Sequence, residues 1–410
     1  MTKVRSETKS ACEIGVSSFL AYAGCYMGKN ILSAMLPQMI SENVCGRTTL
    51  AAMGSAFFVA YGVGELVNGL IGNRISAKYM VFWGLFLSGL LCLLFPVLFT
   101  YSLGFFIWSA CGFLCSMLWG PISKLVGENT SKKIGVILLT LLTVASIVGT
   151  AVTYLFAVVS AVWKNWKLGF FITGISLTVL ALFWYVAVET MERKKIVRQQ
   201  KTGKVTSHVS IAAVLLNNGF IPMTIVAMLN GIIRNAVAFW IPTFITERLF
   251  VSVAAATGIS SILPVLNLIG TLASVYLVKC MSGDEKKGLT IFFAFTTLMF
   301  CIMWLLQGRR TVLNIVTLFC ASAAMTGACN LIFTYYVLRF TKTEKISGIT
   351  GFLDFASYVS ASAANILFSF LVSEKGWDFV VGIWGLVALA GTAFSWYAMR
   401  FPGKKCFMKQ

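Results

Sequence analysis

The chain has 410 residues, of which 58% are hydrophobic and only 11% are charged, and its net charge is +19. This composition excludes a water-soluble domain, because long apolar stretches are typical of membrane-spanning helices. The excess of Lys and Arg does not indicate nucleic-acid binding, since these residues lie in short loops between apolar segments, where they set membrane topology. We therefore predict an all-α integral membrane protein with no nucleic-acid partner.

Twelve apolar segments, each close to the ~20 residues that cross a bilayer, follow one another between polar loops. They are residues 12–36, 48–71, 79–99, 102–123, 135–160, 167–188, 212–244, 252–279, 288–307, 311–338, 347–372 and 377–400. The longest polar stretch, 189–211, separates an N-terminal half (1–188) from a C-terminal half (212–410) of six spans each. The sequence thus predicts two six-helix halves joined by a linker.

The distribution of cations predicts the orientation in the membrane. Of the 33 Lys and Arg residues, 24 fall on the side that carries the two termini and the 189–211 linker, and 7 fall on the other side. Such a bias marks the cytoplasmic side. We expect a multi-pass protein of the plasma (inner) membrane with both termini and the linker in the cytoplasm.

The first and seventh segments share a motif, and each has one cation within an apolar stretch. The pattern Lys/Arg-Asn-x6-Pro-x2-Ile-Ser/Thr-Glu begins at Lys29-Asn30 and again, 205 residues later, at Arg234-Asn235. Carriers with repeated halves bind their substrate between the halves near the bilayer midplane, and an ionisable residue inside a span is costly unless it serves a function. The repeat therefore predicts an anion site between the halves at Lys29 and Arg234.

Polar residues on the same helix faces extend this predicted site. Tyr26 lies three residues before Lys29, Asn30 follows it, and Asn230 lies four residues before Arg234, so that each set projects from one side of a helix. The alternative is that both cations reach an interface or pair with fixed acids.

Two acidic residues lie within predicted spans, Asp354 in the eleventh and Glu65 in the second. A carboxylate in a low-dielectric environment either pairs with a cation or takes up a proton. Asp354 is therefore predicted either to form a structural ion pair with Arg234 or Lys29, or to couple transport as a proton site or a counter-ion that the substrate displaces. Glu65 is predicted to face the cavity or to lie near the inner loop.

No catalytic, nucleotide or metal motif is present in the sequence. It contains no GxxxxGK(S/T) loop, its eleven Cys residues form no CxxC pair, and its one histidine, His208, lies in the polar linker. We expect no enzymatic activity and no cofactor, and we exclude ATP as the source of energy.

The chain resembles carriers of the major facilitator superfamily. Residues 69–78 are similar to that superfamily's G-x3-D-R-x-G-(R/K) loop, with Asn73 in place of Asp, Ala77 in place of Gly, and Arg74 matching the motif arginine. More specifically, the chain resembles the organophosphate:phosphate antiporters, which include carriers of glycerol-3-phosphate and hexose-6-phosphate. The resemblance covers most of the chain and is clearest in residues 26–37, 60–62, 119–124, 234–243 and 350–358.

The resemblance implies roles for individual residues. In that family one arginine in span one and one in span seven hold the substrate phosphate; Arg234 matches the second, while Lys29 stands at the first and Asn30 replaces the lysine that usually follows. Trp119 and Tyr358 lie in the resembling motifs and are predicted to contact substrate. Lys124 and Arg74 are predicted to act at the inner gate.

Two departures from the family's pattern affect the expected substrate. Lysine is a compact point charge without arginine's bidentate fork. The histidine that glycerol-3-phosphate carriers have in span five is absent, since residues 143–146 read Thr-Val-Ala-Ser.

The expected function is therefore secondary transport of a small organic anion, most simply a phosphorylated metabolite, in exchange for inorganic phosphate. The two halves of a monomer would rock about a central site. One alternative is a proton-coupled carboxylate or drug transporter that uses Asp354 or Glu65. Another is a sugar-phosphate sensor that binds its ligand without moving it.

Overall fold

A computed structural model describes residues 2–71, 75–197, 220–281, 283–337 and 346–400. The helices before the predicted linker, in the part of the chain that we call the N-terminal half, are α1 (Thr2–Ser41), α2 (Arg47–Ile71), α3 (Ala77–Leu94), α4 (Tyr101–Cys115), α5 (Trp119–Asn129), α6 (Lys132–Val162) and α7 (Trp166–Arg193). Those of the C-terminal half are α8 (Phe220–Gly231), π1 (Ile232–Val237), α9 (Ala238–Leu249), α10 (Val253–Ser260), α11 (Leu263–Cys280), α12 (Glu285–Leu306), α13 (Thr311–Asn330), π2 (Leu331–Tyr336), α14 (Ile346–Lys375) and α15 (Trp377–Ala398).

The predicted all-helical, multi-span architecture is confirmed. Within the described ranges, eleven helical segments are long and apolar enough to cross a membrane. The predicted span that is not among these eleven is the first, 12–36, which lies in α1, a 40-residue helix that packs against α6 and α7. Lys29 and Asn30, together with the polar residues at the N-terminal end of the helix, lower its hydropathy.

Several spans are less regular than the predicted continuous helices. The predicted span 102–123 is interrupted at residues 116–118, between α4 and α5, and the span 252–279 is interrupted just before Pro264, between α10 and α11. Proline suits the first turn of a helix because its missing N–H has no intrahelical acceptor there. The α7 helix runs on to Arg193, into the predicted linker, whose residues 198–211 lie outside the described ranges.

Large apolar side chains cover the outer surface of the helical bundle. Phe106, Leu305 and Val312 are each more than two-thirds exposed on different helices. Apolar exposure of this extent suits contact with lipid rather than with water.

The two halves meet at the end of the bundle that carries residues 42–46 and 250–252, which we call the closed end. There Arg47 forms an ion pair of 2.5 Å with Glu247, and the indole N–H of Trp377 donates to the same carboxylate at 2.9 Å. Further from this end, Ser33 Oγ donates to the carbonyl of Phe239 at 2.8 Å. The closed end is thus held by polar contacts between the halves.

Helices α2 and α14 form the most extensive contact between the halves. Ser55 and Ser362 each donate a hydroxyl hydrogen bond to the other's carbonyl, at 2.9 and 3.0 Å. At Gly62, a Cβ would lie 3.2 Å from Cβ of Tyr358, so the absence of a side chain lets the helices approach closely. This close approach brings residues of both halves together at the level of Lys29.

Candidate functional site

A cavity of about 170 Å³ lies between the halves and is lined by both copies of the repeated motif. Lys29 and Asn30 enter it from α1, and Arg234 and Asn235 enter it from π1. The structure therefore places the two predicted cations in one cavity, at matching positions of the two halves.

The Lys29 ammonium lies among three tyrosines. Its Nζ donates a hydrogen bond of 2.7 Å to Oη of Tyr358. It also lies 4.8 Å from the ring centroid of Tyr61, 4.8 Å from that of Tyr358 and 5.2 Å from that of Tyr26. Each ring face attracts a cation at such a distance, so the tyrosines offset part of the cost of burying this charge.

Arg234 lies in π1, a single π-helical turn, a feature that is frequent at functional sites. Its guanidinium carbon is 5.9 Å from the ring centroid of Phe333, which lies in the second such turn, π2, and 6.0 Å from that of Tyr358. The Nε atom is buried without a hydrogen-bond partner. Among the described residues, no side chain forms an ion pair with Arg234 within 4.0 Å. Its planar set of N–H donors is therefore available to an anion.

The remaining wall of the cavity is rich in neutral hydrogen-bonding groups. The Asn30 amide donates to Oγ1 of Thr150 at 2.9 Å and to the carbonyl of Tyr26 at 3.0 Å, which fixes its orientation. Other hydroxyl and amide side chains in the wall are Ser33, Thr143, Ser146, Tyr154, Asn235, Asn267, Thr271 and Thr326. A wall of this kind suits a ligand that has hydroxyl groups as well as a charge.

Two carboxyl groups complete the charged cluster. Asp354 and Glu65 are both partly buried, and the charge of Lys29 acts on each of them. Neither carboxylate lies within 4.0 Å of a cation in the described part of the chain. The direct ion pair predicted as one role for Asp354 is thus not formed, and the acids act on the cations from a longer distance.

Six predicted residues in the described part of the chain are not part of the cavity wall. Three of them, Tyr358, Asp354 and Glu65, belong to the cluster around the cations, and the other three are Asn230, Trp119 and Lys124. Asn230 is fully buried and donates to the carbonyl of Met325 at 2.8 Å, so its amide is engaged in helix packing. Trp119 begins α5 and packs against Tyr22, with ring centroids 5.2 Å apart and the ring planes tilted by 46°. Lys124 is partly buried on α5. Arg74 lies outside the described residues.

Sequence reasoning missed two aromatic residues of the site, Tyr61 and Phe333. Tyr61 had two available signals, because it lies in the resembling stretch 60–62 and because it lies four residues before Glu65 and therefore shares a helix face with it. Phe333 had none, since aromatic side chains are common in this chain and most of them pack against other helices or lipid.

Known proteins resemble this chain in sequence and fold. The family profile for the Major Facilitator Superfamily matches residues 18–365. The membrane sensor protein UhpC of Escherichia coli is 23% identical over 370 residues, covering 85% of this chain and 82% of that protein. The glycerol-3-phosphate transporter of Bacillus subtilis is 20% identical over 390 residues, covering 89% of this chain and 87% of that protein.

Solved structures show the same fold. The crystal structure of a D-xylose-proton symporter superposes with a TM-score of 0.77 at 14% identity, covering 96% of this chain and 98% of that one. The predicted likeness to organophosphate carriers is confirmed by the relatives, although identity is low. On this evidence the chain is a multi-pass membrane protein that belongs to the Major Facilitator Superfamily, a family of transporters rather than enzymes.

Proposed function

We propose that the protein is a secondary transporter that exchanges a small phosphorylated metabolite for inorganic phosphate by alternating access. The observation that supports this proposal best is the pair of cations, Lys29 and Arg234, which come from equivalent helices and line one cavity between the halves. Two like charges in a low-dielectric cavity repel each other and are costly to bury. A bound anion offsets that repulsion and lets the halves close around it on the side opposite the closed end.

The relatives and the cavity wall together favour a hydroxyl-bearing phosphate ester. One relative is a glycerol-3-phosphate transporter, and another, from Chlamydia trachomatis, is a probable hexose phosphate transport protein. In the cavity wall, the amide nitrogen of Asn267 can donate to sugar or glycerol hydroxyls. The hydroxyl oxygen of Thr326, whose own hydrogen is donated to the carbonyl of Ser322, can accept from them. The histidine of glycerol-3-phosphate carriers is absent, and residues 143–146 read Thr-Val-Ala-Ser.

We assign the closed end to the outer face of the membrane and the termini to the cytoplasm. The support is the distribution of the 33 Lys and Arg residues, because the closed end carries few of them. In this orientation the substrate cavity is closed towards the outside of the cell. The protein acts as a monomer.

Exchange in proteoliposomes tests the proposal. Purified protein is reconstituted into vesicles loaded with phosphate, and uptake of labelled phosphate, glycerol phosphate, hexose phosphates, phosphonates and dicarboxylates is measured. We expect uptake of at least one phosphate ester that depends on internal phosphate. Equal uptake into phosphate-free vesicles would rule out obligatory exchange.

A second candidate function is ligand sensing without transport. Its support is the similarity to the membrane sensor protein UhpC, which is named as a sensor in two organisms. A sensor would bind hexose phosphate in detergent, measured by calorimetry, and would show no exchange in vesicles. Binding together with exchange would exclude it.

A third candidate is proton-coupled transport of a carboxylate, which is supported by the two acids, Glu65 and Asp354, that share the charged cluster. Uptake driven by a pH gradient alone, with no phosphate inside, is its signature. Loss of that uptake in Asp354→Asn would identify the coupling group.

A further inference from the structure

The two cations of the cavity differ in the contacts that they already make. Arg234 has no hydrogen-bond or ion-pair partner among the described residues, whereas Lys29 is hydrogen-bonded to Tyr358 and surrounded by aromatic rings. The repeated motif predicts two equivalent phosphate ligands. Their surroundings instead indicate one cation that is free to bind and one that is engaged.

The rings around Lys29, which we call the tyrosine cage (Tyr26, Tyr61 and Tyr358), come from both halves. Tyr26 lies on α1 and Tyr61 on α2, both in the N-terminal half, while Tyr358 lies on α14 of the C-terminal half. The ring centroids of Tyr61 and Tyr358 are 4.8 Å apart. The cage is therefore complete only while α2 and α14 are in contact at this level.

We propose that Lys29 is a positioning residue that couples anion binding to the contact between the halves, and that Arg234 is the principal anion ligand. This inference rests on the proposed function. An anionic phosphate oxygen accepts a stronger hydrogen bond from an ammonium than a neutral phenol oxygen does. An anion on Arg234 therefore competes with Tyr358 for Lys29.

The competition has a mechanical result. When the ammonium turns from Tyr358 to the anion, α1 and α14 lose a hydrogen bond that joins the halves. The halves are then held together only by the remaining contacts towards the closed end, such as those between Ser55 and Ser362. Their association at this end is weaker as a result. Binding of the anion thereby favours opening of the closed end, which an empty site resists.

The dimensions of the cage explain why lysine stands where the resembling family has arginine. A hydroxyl 2.7 Å from Nζ and ring centroids at 4.8 to 5.2 Å enclose a compact ammonium. A guanidinium is larger and planar, so it would have to displace the Tyr358 side chain and lie close to Arg234. Lys29→Arg should therefore impair transport, although it restores the family's residue.

Two variants and one control test the inference. Tyr358→Phe keeps the ring but removes the hydroxyl that accepts from Lys29. Lys29→Arg keeps the positive charge but replaces the compact ammonium with a larger guanidinium. Tyr276→Phe makes the same chemical change on a side chain that is 71% exposed and lies away from the cavity. For each variant, phosphate exchange is compared with net uptake into phosphate-free vesicles, and hydrogen exchange of residues 51–62 and 355–365 is measured by mass spectrometry with and without phosphate.

We expect Tyr358→Phe to lower the ratio of exchange to net uptake by about fivefold, the effect of losing one ordinary hydrogen bond. In this variant, the peptides from α2 and α14 should exchange hydrogen rapidly even without phosphate. Their rate should equal that of the same wild-type peptides measured with phosphate. Lys29→Arg should reduce exchange by about tenfold or more, since one lost charge-assisted contact has that effect. Tyr276→Phe should behave as wild type does.

An unchanged exchange ratio and unchanged hydrogen exchange in Tyr358→Phe, or wild-type activity in Lys29→Arg, would overturn the coupling role. Tyr61→Leu, which removes a cage wall from the other half, gives an independent second variant with the same expected direction. Failure of the proposed function would appear differently, as the absence of phosphate exchange in the wild type. In that case the comparison of hydrogen exchange without phosphate still tests the cage.

Discussion

Arg234 lies in the turn π1, and the N–H donors of its rigid planar group have no hydrogen-bond or ion-pair partner among the described residues. Asp354 acts on this charge from beyond ion-pair distance, so it lowers the cost of burial without occupying the donors. An arrangement of this kind keeps the cation stable in the empty cavity and still available to an incoming anion. It also makes Arg234 the residue whose loss should affect binding most.

Substitution of Arg234 by glutamine should weaken phosphate binding by about 10- to 100-fold, since a hydrogen bond to a charged group contributes about 1.5–3 kcal/mol. Arg234→Lys keeps the charge but not the fork, and it should recover only part of the affinity. Calorimetric titration with inorganic phosphate measures both variants. Wild-type affinity in Arg234→Gln would contradict the assigned role.

At the residue scale, the repeated motif was sufficient to locate Lys29 and Arg234 in one cavity. A single cation within an apolar helix is rare, and two such cations at matching positions of a repeated motif are rarer still. The contacts of those cations were not predictable. Tyr61 and Phe333 reach the site from helices far apart in sequence, and nothing in a single chain distinguishes Phe333 from aromatic residues that face lipid. The engagement of Asn230 with Met325 was hidden for the same reason.

At the element scale, apolar runs predicted the helices because membrane spans must satisfy their backbone groups internally. The interruptions within spans were less predictable from the sequence. Pro264 is compatible with the break before α11, but the six-residue turns π1 and π2 differ from an α-helix only by one extra residue per turn, which composition does not reveal. Both turns lie at the level of the cavity, where one holds Arg234 and the other holds Phe333.

The ion pair between the ends of α2 and α9 should stabilise the closed end. Arg47 and Glu247 are only 20% and 22% exposed, so solvent screens the pair less than a surface pair, yet enough to keep its contribution to roughly 1 kcal/mol. Arg47→Gln is therefore expected to increase the open fraction of the closed end by about fivefold.

Cys45, a native thiol at this end, provides the measurement. It is 8% exposed, and burial raises its pKa to about 11, so at neutral pH it stays protonated and unreactive while the end is closed. The rate of maleimide labelling of the Cys45 peptide should rise in Arg47→Gln and in Glu247→Gln. The double variant should match the singles, because each removes the same interaction; additive effects would contradict a direct pair.

At the scale of the whole molecule, the offset of the repeat predicted two similar halves around a central site. Which end is shut could not be predicted, since that depends on contacts between residues far apart in the chain, such as Ser33 with Phe239 and Arg47 with Glu247. Each of these residues alone is an ordinary polar side chain near a helix end. Only their juxtaposition across the halves identifies the closed end.

Alternating access requires the closed end to open in every transport cycle. The reciprocal hydrogen bonds of Ser55 and Ser362 place these two backbones side by side across the halves. Ser55→Cys/Ser362→Cys should therefore lose exchange on oxidation and regain it on reduction. The single variants, treated with the same oxidant, control for the native cysteines, and persistent exchange in the oxidised double variant would contradict opening at this end.

The polarity of α1 affects how the protein is made. A lysine near the middle of a helix costs about 2.5–3.5 kcal/mol for insertion by the translocon, and α1 carries both Lys29 and Asn30. This helix should enter the bilayer poorly by itself and should depend on later helices, such as α6 and α7, for its final placement.

Glycosylation mapping of α1 as an isolated segment can measure this dependence. Lys29→Leu should raise its insertion markedly, whereas Gln38→Leu, near the end of the helix where polar residues are tolerated, should change it little. The side chain that ties the two halves together would then also be the main obstacle to the biosynthesis of the first span.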